Sequence, residues 1–107
     1  MITIEDFKKV EIKVGQVMAA ERVTGSDKLL KLTVEVGEAM PRQIIAGIGK
    51  TYEPEALLGK QLAVLVNLEP RSIMGLESQG MVLAASGDAG PVILVPERPV
   101  PSGAVLK

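Results

Sequence analysis

The stretch LAVLVNLEPRSIMGLESQGMVLAA, residues 62–85, decides the reading of this chain. Residues 62–66 form an almost unbroken aliphatic run and residues 81–85 a second, the pattern of strands buried on at least one face. Between them the chain places Asn67, Pro70, Arg71, Gly75, Ser78, Gln79 and Gly80. An irregular loop with an amide, a guanidinium, a hydroxyl and glycines that admit another backbone is where a rigid scaffold presents its contacts. The same residues also suit an ordinary hairpin connection, so composition leaves both readings open.

Upstream of this stretch, Pro54 at a first helical position and Gly59 just past the end predict a helix of one or two turns around Ala56, Leu57 and Leu58. The segment Gly47, Ile48, Gly49, Lys50, Thr51 invites comparison with a phosphate loop, but the spacing fails. A Walker A loop needs glycine where Ile44 stands, and a dinucleotide fingerprint needs one at Tyr52. These glycines are read as ending a strand over 42–46. Leu30, Leu32, Val34 and Val36 alternate with Lys31, Thr33 and Glu35, the clearest strand in the chain, with Lys31 facing outward and Lys28 at its entrance.

The first strand is read from Val10, Ile12 and Val14. The apolar parity switches at Val17 and Ala19, which predicts a bulge at Gly15. Before it, Thr3, Glu5 and Asp6 suit a capped single turn with Ile4 and Phe7 as its apolar side. Downstream, residues 92–95 form a further short strand. Pro96, Pro99 and Pro101 break the tail before Ala104, Val105 and Leu106. Residues 92–95 are too apolar to leave unpaired, so the tail is expected to dock on a second copy rather than hang free.

At 107 residues the chain holds one domain, residues 1–107. It contains neither cysteine nor histidine, which removes disulfides, thiolate metal sites and the usual general base together. No nucleophile paired with a base can be named, so a binding module is expected, without cofactor or metal. Twelve basic residues against 13 acidic ones exclude a bulk polycation but allow a local basic face. Phe7 and Tyr52 are the only aromatic residues, too few for a stacking platform, so an RNA ligand would be held through phosphates and shape. The 47% hydrophobic content suggests self-association. No run approaches a membrane span and no signal pattern opens the chain, so a cytoplasmic protein is expected.

The predicted order is three strands, a short helix, two strands, then an extra C-terminal strand and tail. This all-β order is that of a five-stranded OB-fold, a Greek-key barrel whose strand 2 and 3 face and adjoining loops bind oligonucleotides.

Three separated strings carry a resemblance over nearly the whole chain: DFKKVEIKVGQVMAAERVTGSDKLLKLTVEVGE from Asp6, PRQIIAGIGKTYEPEALLGK from Pro41, and NLEPRSIMGLESQGMVLAA from Asn67. Together they resemble the structure-specific tRNA-binding domain family. Its members include free-standing bacterial tRNA-binding proteins and the C-terminal dimerisation domain of methionyl-tRNA synthetases. The resemblance implies non-catalytic recognition of folded tRNA by a homodimer, joined through the N-terminal segment and the region after Val92. It further implies an RNA-binding set of Lys28 and Lys31 in SDKLLKL, Arg42 in PRQ, Asn67 and Arg71 in NLEPR, and Ser78 and Met81 in ESQGM. Phosphate pairing is expected of the lysines and arginines, hydrogen bonding to phosphate or ribose of Asn67 and Ser78, and an apolar platform of Met81. Ser72 follows Arg71 where relatives often carry another basic residue, which weakens one expected contact. The alternative within the family is an export-related peptide chaperone like CsaA, binding through apolar surface. Met1 and an apparently complete module favour a free-standing protein over a synthetase domain.

Overall fold

The computed structural model describes residues 1–107. Helix α1, Ile4–Phe7, begins with the expected capping box. The Thr3 hydroxyl accepts the Asp6 amide while the Asp6 carboxylate accepts the Thr3 amide. Strands β1 (Ile12–Arg22), β2 (Leu30–Glu35) and β3 (Arg42–Ala46) follow, then helix α2 (Pro54–Leu57) and strand β4 (Gln61–Leu65). The remaining strands are short: β5 (Arg71–Ile73), β6 (Leu76–Ser78), β7 (Met81–Val82), β8 (Ala84–Gly87) and β9 (Gly90–Ile93).

The main sheet is antiparallel in the order β3-β2-β1-β4-β7, and it curls until β3 approaches β6 and β7, a nearly closed all-β barrel of OB type. The alternation of β2 is realised in full: Leu30, Leu32, Val34 and Val36 are wholly buried, while Lys31, Thr33 and Glu35 face outward. With Val17, Ile44, Leu57, Leu62 and Val64 they form the barrel core. Burial of these aliphatic groups, about 1.5–3 kcal/mol per fully buried side chain, is the main force closing the barrel.

Three local expectations change, and the open reading of the loop after β4 resolves to a hairpin. The bulge in β1 sits at Met18, where the register with β2 slips between Val17 and Ala19, and not at Gly15. Gly15 is glycine for space: a Cβ there would lie 2.4 Å from Val34 Cγ1 and 3.2 Å from Val64 Cγ2. The loop after β4 is largely a hairpin, with Ile73 opposite Leu76 across a two-residue turn at Met74 and Gly75. Both turn residues have positive φ, 49° and 78°, as this tight turn requires. The fifth barrel strand breaks at Leu83; β7 pairs with β4, and β8 leaves to pair with β9 in a separate hairpin.

The tail, finally, finds its backbone partner within the chain. Gln61 clamps Val100 through both of its amide groups, donating Nε2 to the Val100 carbonyl at 2.6 Å and accepting the Val100 amide at 3.0 Å. Gly103 then donates to the Val14 carbonyl, Val14 to Ala104, and Leu106 to Ile12. Gly103 (φ 89°) lies so close to β2 that a Cβ would meet the Val36 carbonyl at 2.7 Å. The proline-spaced segment thus extends the β1 edge beyond the end of β2, a pairing that no local sequence signal announces.

Candidate nucleic-acid interface

The β5–β6 hairpin leans across the outer face of β2 and β3. Its tip reaches the β1–β2 turn, where a Cβ on Gly25 would stand 3.7 Å from Met74 Cε. The space left between tip and turn is a groove of about 290 Å³ lined by Glu21, Arg22, Val23, Thr24, Lys31, Met74 and Leu76. It lies where OB barrels bind oligonucleotides, between the strand 1–2 connection and the strand 4–5 connection.

Of the seven residues singled out from sequence, six divide into two groups and Met81 stands apart. Lys28 lies on the β1–β2 turn, which Ser26 braces by accepting the Lys28 and Leu29 amides. Its stem passes over Gly47, where a Cβ would come within 3.0 Å of Lys28 Cε, and its ammonium has no carboxylate partner. Arg71 on β5 is exposed and equally free of carboxylates. Lys31, inside the groove, is held 2.7 Å from Glu21, its cross-strand neighbour. Lys31 stands opposite Ile45, Ile45 donates to the Ser78 hydroxyl, and Ser78 stands opposite Arg71. Arg71 is thus linked to the β2–β3 ladder through Ser78, but it does not line the groove that holds Lys31.

Arg42, Asn67 and Ser78 are occupied internally. The Arg42 guanidinium holds Glu38 in a two-pronged ion pair at 2.8 and 2.7 Å and donates to the Val66 and Gln79 carbonyls, joining three connections at one rim of the barrel. The hydrogen bond from Arg42 holds the Glu38 carboxyl below the usual carboxylate range, and the bond to Glu38 raises Arg42 in turn. Asn67 fastens the N-terminal segment, accepting the Glu11 amide at 2.8 Å and donating to the Lys9 carbonyl at 2.7 Å. Ser78 is fully buried; it accepts the Ile45 amide at 2.9 Å and donates to the Gly80 carbonyl at 3.0 Å. Met81 is half-buried on β7 opposite Leu65.

No local signal marks Thr24, Met74 and Leu76 as groove walls, because only the hairpin's lean brings them together. Arg22 was also missed; it donates to the Gly49 carbonyl at 2.8 Å and pairs with Glu53 at 3.0 Å, tying β1 to the connection before α2. No cluster of acidic side chains could hold a metal ion. No helix is long and apolar enough to cross a membrane.

The groove is therefore a polar and apolar trough that holds Lys31 paired with Glu21, with uncompensated cations on its bounding elements. Comparison with known proteins gives the family. The family model described as "Putative tRNA binding domain" matches residues 12–105. The chain is 50% identical over 105 residues, 98% of its length, to the methionine–tRNA ligase of Caldanaerobacter subterraneus subsp. tengcongensis. It spans only about 16% of the length of the curated relatives it matches. Among solved structures, a MetRS related protein from Pyrococcus horikoshii superposes with TM-score 0.92 at 36% identity, covering 100% of this chain and 98% of that one. The chaperone CsaA of Bacillus anthracis superposes with TM-score 0.89 at 30% identity, covering 100% and 99% respectively. With a matching family model over most of its length and relatives of this identity, the chain belongs to the tRNA-binding domain family.

Proposed function

We propose that this tRNA-binding domain is a non-catalytic, structure-specific module that acts as a homodimer, either free-standing or at the C-terminal end of a methionyl-tRNA synthetase. The observation that carries the reading is the groove between Thr24 and Met74, floored by Lys31 and bounded by the elements that bear Lys28 and Arg71. Without aromatic side chains in the groove, bases find no stacking surface, and recognition rests on phosphate positions set by the fold of the RNA.

Self-association is supported by a second surface. Ile2, Ile4 and Val10 at the N-terminus, and Val92, Leu94, Val95 and Val105 near the C-terminus, are all exposed. The bond of Leu106 to Ile12 and the bridge between Val105 and Lys13 set the C-terminal end against β1, and the bond of Ala63 to the Leu94 carbonyl sets residues 92–95 beside β4. Exposed apolar side chains near both chain ends, carried next to the adjacent strands β1 and β4, fit an isologous dimer.

Gel-shift titration with total tRNA at two salt concentrations tests the main reading. Intact tRNA should bind, binding should weaken steeply with salt, and heat-unfolded tRNA should bind less well. Equal affinity for folded and unfolded tRNA removes shape recognition. The likeness to CsaA supports a second reading, peptide binding through the apolar surface. An unfolded polypeptide that displaces tRNA at equal concentration would favour it.

A further inference from the structure

We propose that Glu21 is a specificity-determining residue that holds Lys31 closed against loosely bound RNA and yields it only to a phosphate backbone anchored elsewhere on the face; this rests on the tRNA-binding reading above. The groove beside Met74 is one of two hollows that share Glu21 and Lys31. The other, about 190 Å³, is lined by Ala19, Ala20 and Thr33 together with that pair. The ion pair therefore stands as a rib between two hollows. On its far side the walls are short, two alanines and a threonine, so the ion pair carries the longest side chains of that hollow.

The rib is built to open. The Lys31 side chain is 34% exposed and that of Glu21 63%, so water reaches both and the pair is a weak one. Glu21 is fixed opposite Lys31 by the β1–β2 register, so the carboxylate stays on the RNA-facing surface after release. A phosphodiester that takes Lys31 must therefore displace a carboxylate and lie beside it. A flexible single strand gains one contact against that repulsion. A folded RNA already anchored by its other contacts carries its phosphate to Lys31 without further ordering. The carboxylate thus penalises unstructured polyanions more than shaped ones, an arrangement that rejects wrong ligands by repulsion.

The test compares wild-type protein, Glu21→Gln, the charge-matched control Glu55→Gln on α2, and the double variant Glu21→Gln/Lys31→Gln. Each is titrated with total tRNA and with single-stranded oligouridylate across a salt series. Glu21→Gln should raise oligouridylate affinity by about threefold or more over Glu55→Gln and steepen its log–log salt slope by about 0.7, one added phosphate contact. The tRNA affinity should rise less, and the gain should vanish in the double variant. The inference is overturned if Glu21→Gln follows Glu55→Gln, if both RNAs gain equally, or if the double variant keeps the gain. Failure of wild-type protein to bind tRNA at either salt would instead remove the reading on which it rests.

Discussion

The Ser78 hydroxyl accepts the Ile45 amide at 2.9 Å, a side chain standing in for a strand at the seam of the barrel. Next to it Gln79 continues the seam: its amide donates to the Gln43 carbonyl at 2.8 Å and its side-chain carbonyl accepts the Gln43 amide at 2.9 Å. The β3 edge is thereby satisfied without a full ladder to a fifth strand, which leaves the hairpin of β5 and β6 free to lean over the outer face. The seam positions the groove.

Ser78→Ala would leave the Ile45 amide buried without a partner, at a cost of about 1–3 kcal/mol. Urea denaturation should show that loss, and hydrogen exchange at Ile45 and Gln79 should accelerate. If Ser78 served only as an RNA contact, stability would be unchanged and affinity alone would fall.

Arg42 spends its donors on Glu38, Val66 and Gln79. Arg42→Ala should therefore destabilise the fold by about 1.5–3 kcal/mol, while the salt slope of tRNA binding stays close to that of the wild type. Lys28→Ala and Arg71→Ala should do the reverse, each flattening the slope by about one contact with little effect on stability.

The pH dependence follows from Glu38, whose pKa is lowered from 4.5 in the folded state by the hydrogen bond from Arg42. The contribution of a carboxylate with a depressed folded pKa is complete above its unfolded value and is lost as pH falls through the folded one. Wild-type stability should thus decline below about pH 4.5, partly through this pair. Glu38→Gln should be less stable near neutrality and show a flatter decline in acid. Parallel curves for both proteins would count against the pair.

Two glycines separate steric from conformational cost. Gly15→Ala sets a methyl 2.4 Å from Val34 Cγ1 and should cost about 1–3 kcal/mol by overpacking the core. Gly75→Ala meets nothing within 4 Å, and only the φ of 78° opposes it. It should cost about 1 kcal/mol, confined to the hairpin. Thermal unfolding ranks the two, and exchange at Ile73 and Leu76 localises the second.

Ile2→Glu and Val92→Glu each place a charge at an exposed apolar position near one of the two chain ends. Both should convert a dimer to monomer in sizing experiments, with core stability retained. A wild-type protein that runs as a monomer at micromolar concentration would remove the proposed self-association.

Strands and turns whose signals are local could be read directly from the residue order. The period-two alternation of β2, the Pro54 and Gly59 bounds of α2 and the Thr3 cap are set by neighbours a few residues apart, and each was legible. So was the family, because its motifs are continuous strings. The tertiary structure alone decided which cations are free. Ser78 meets Ile45 across 33 residues, Asn67 meets Lys9 across 58, and Lys31 is closed by Glu21 only because the bulge at Met18 sets that register. The tail's backbone partner was illegible for the same reason: it is an edge of β1 left open where β2 ends, and an open edge exists only once the sheet is assembled.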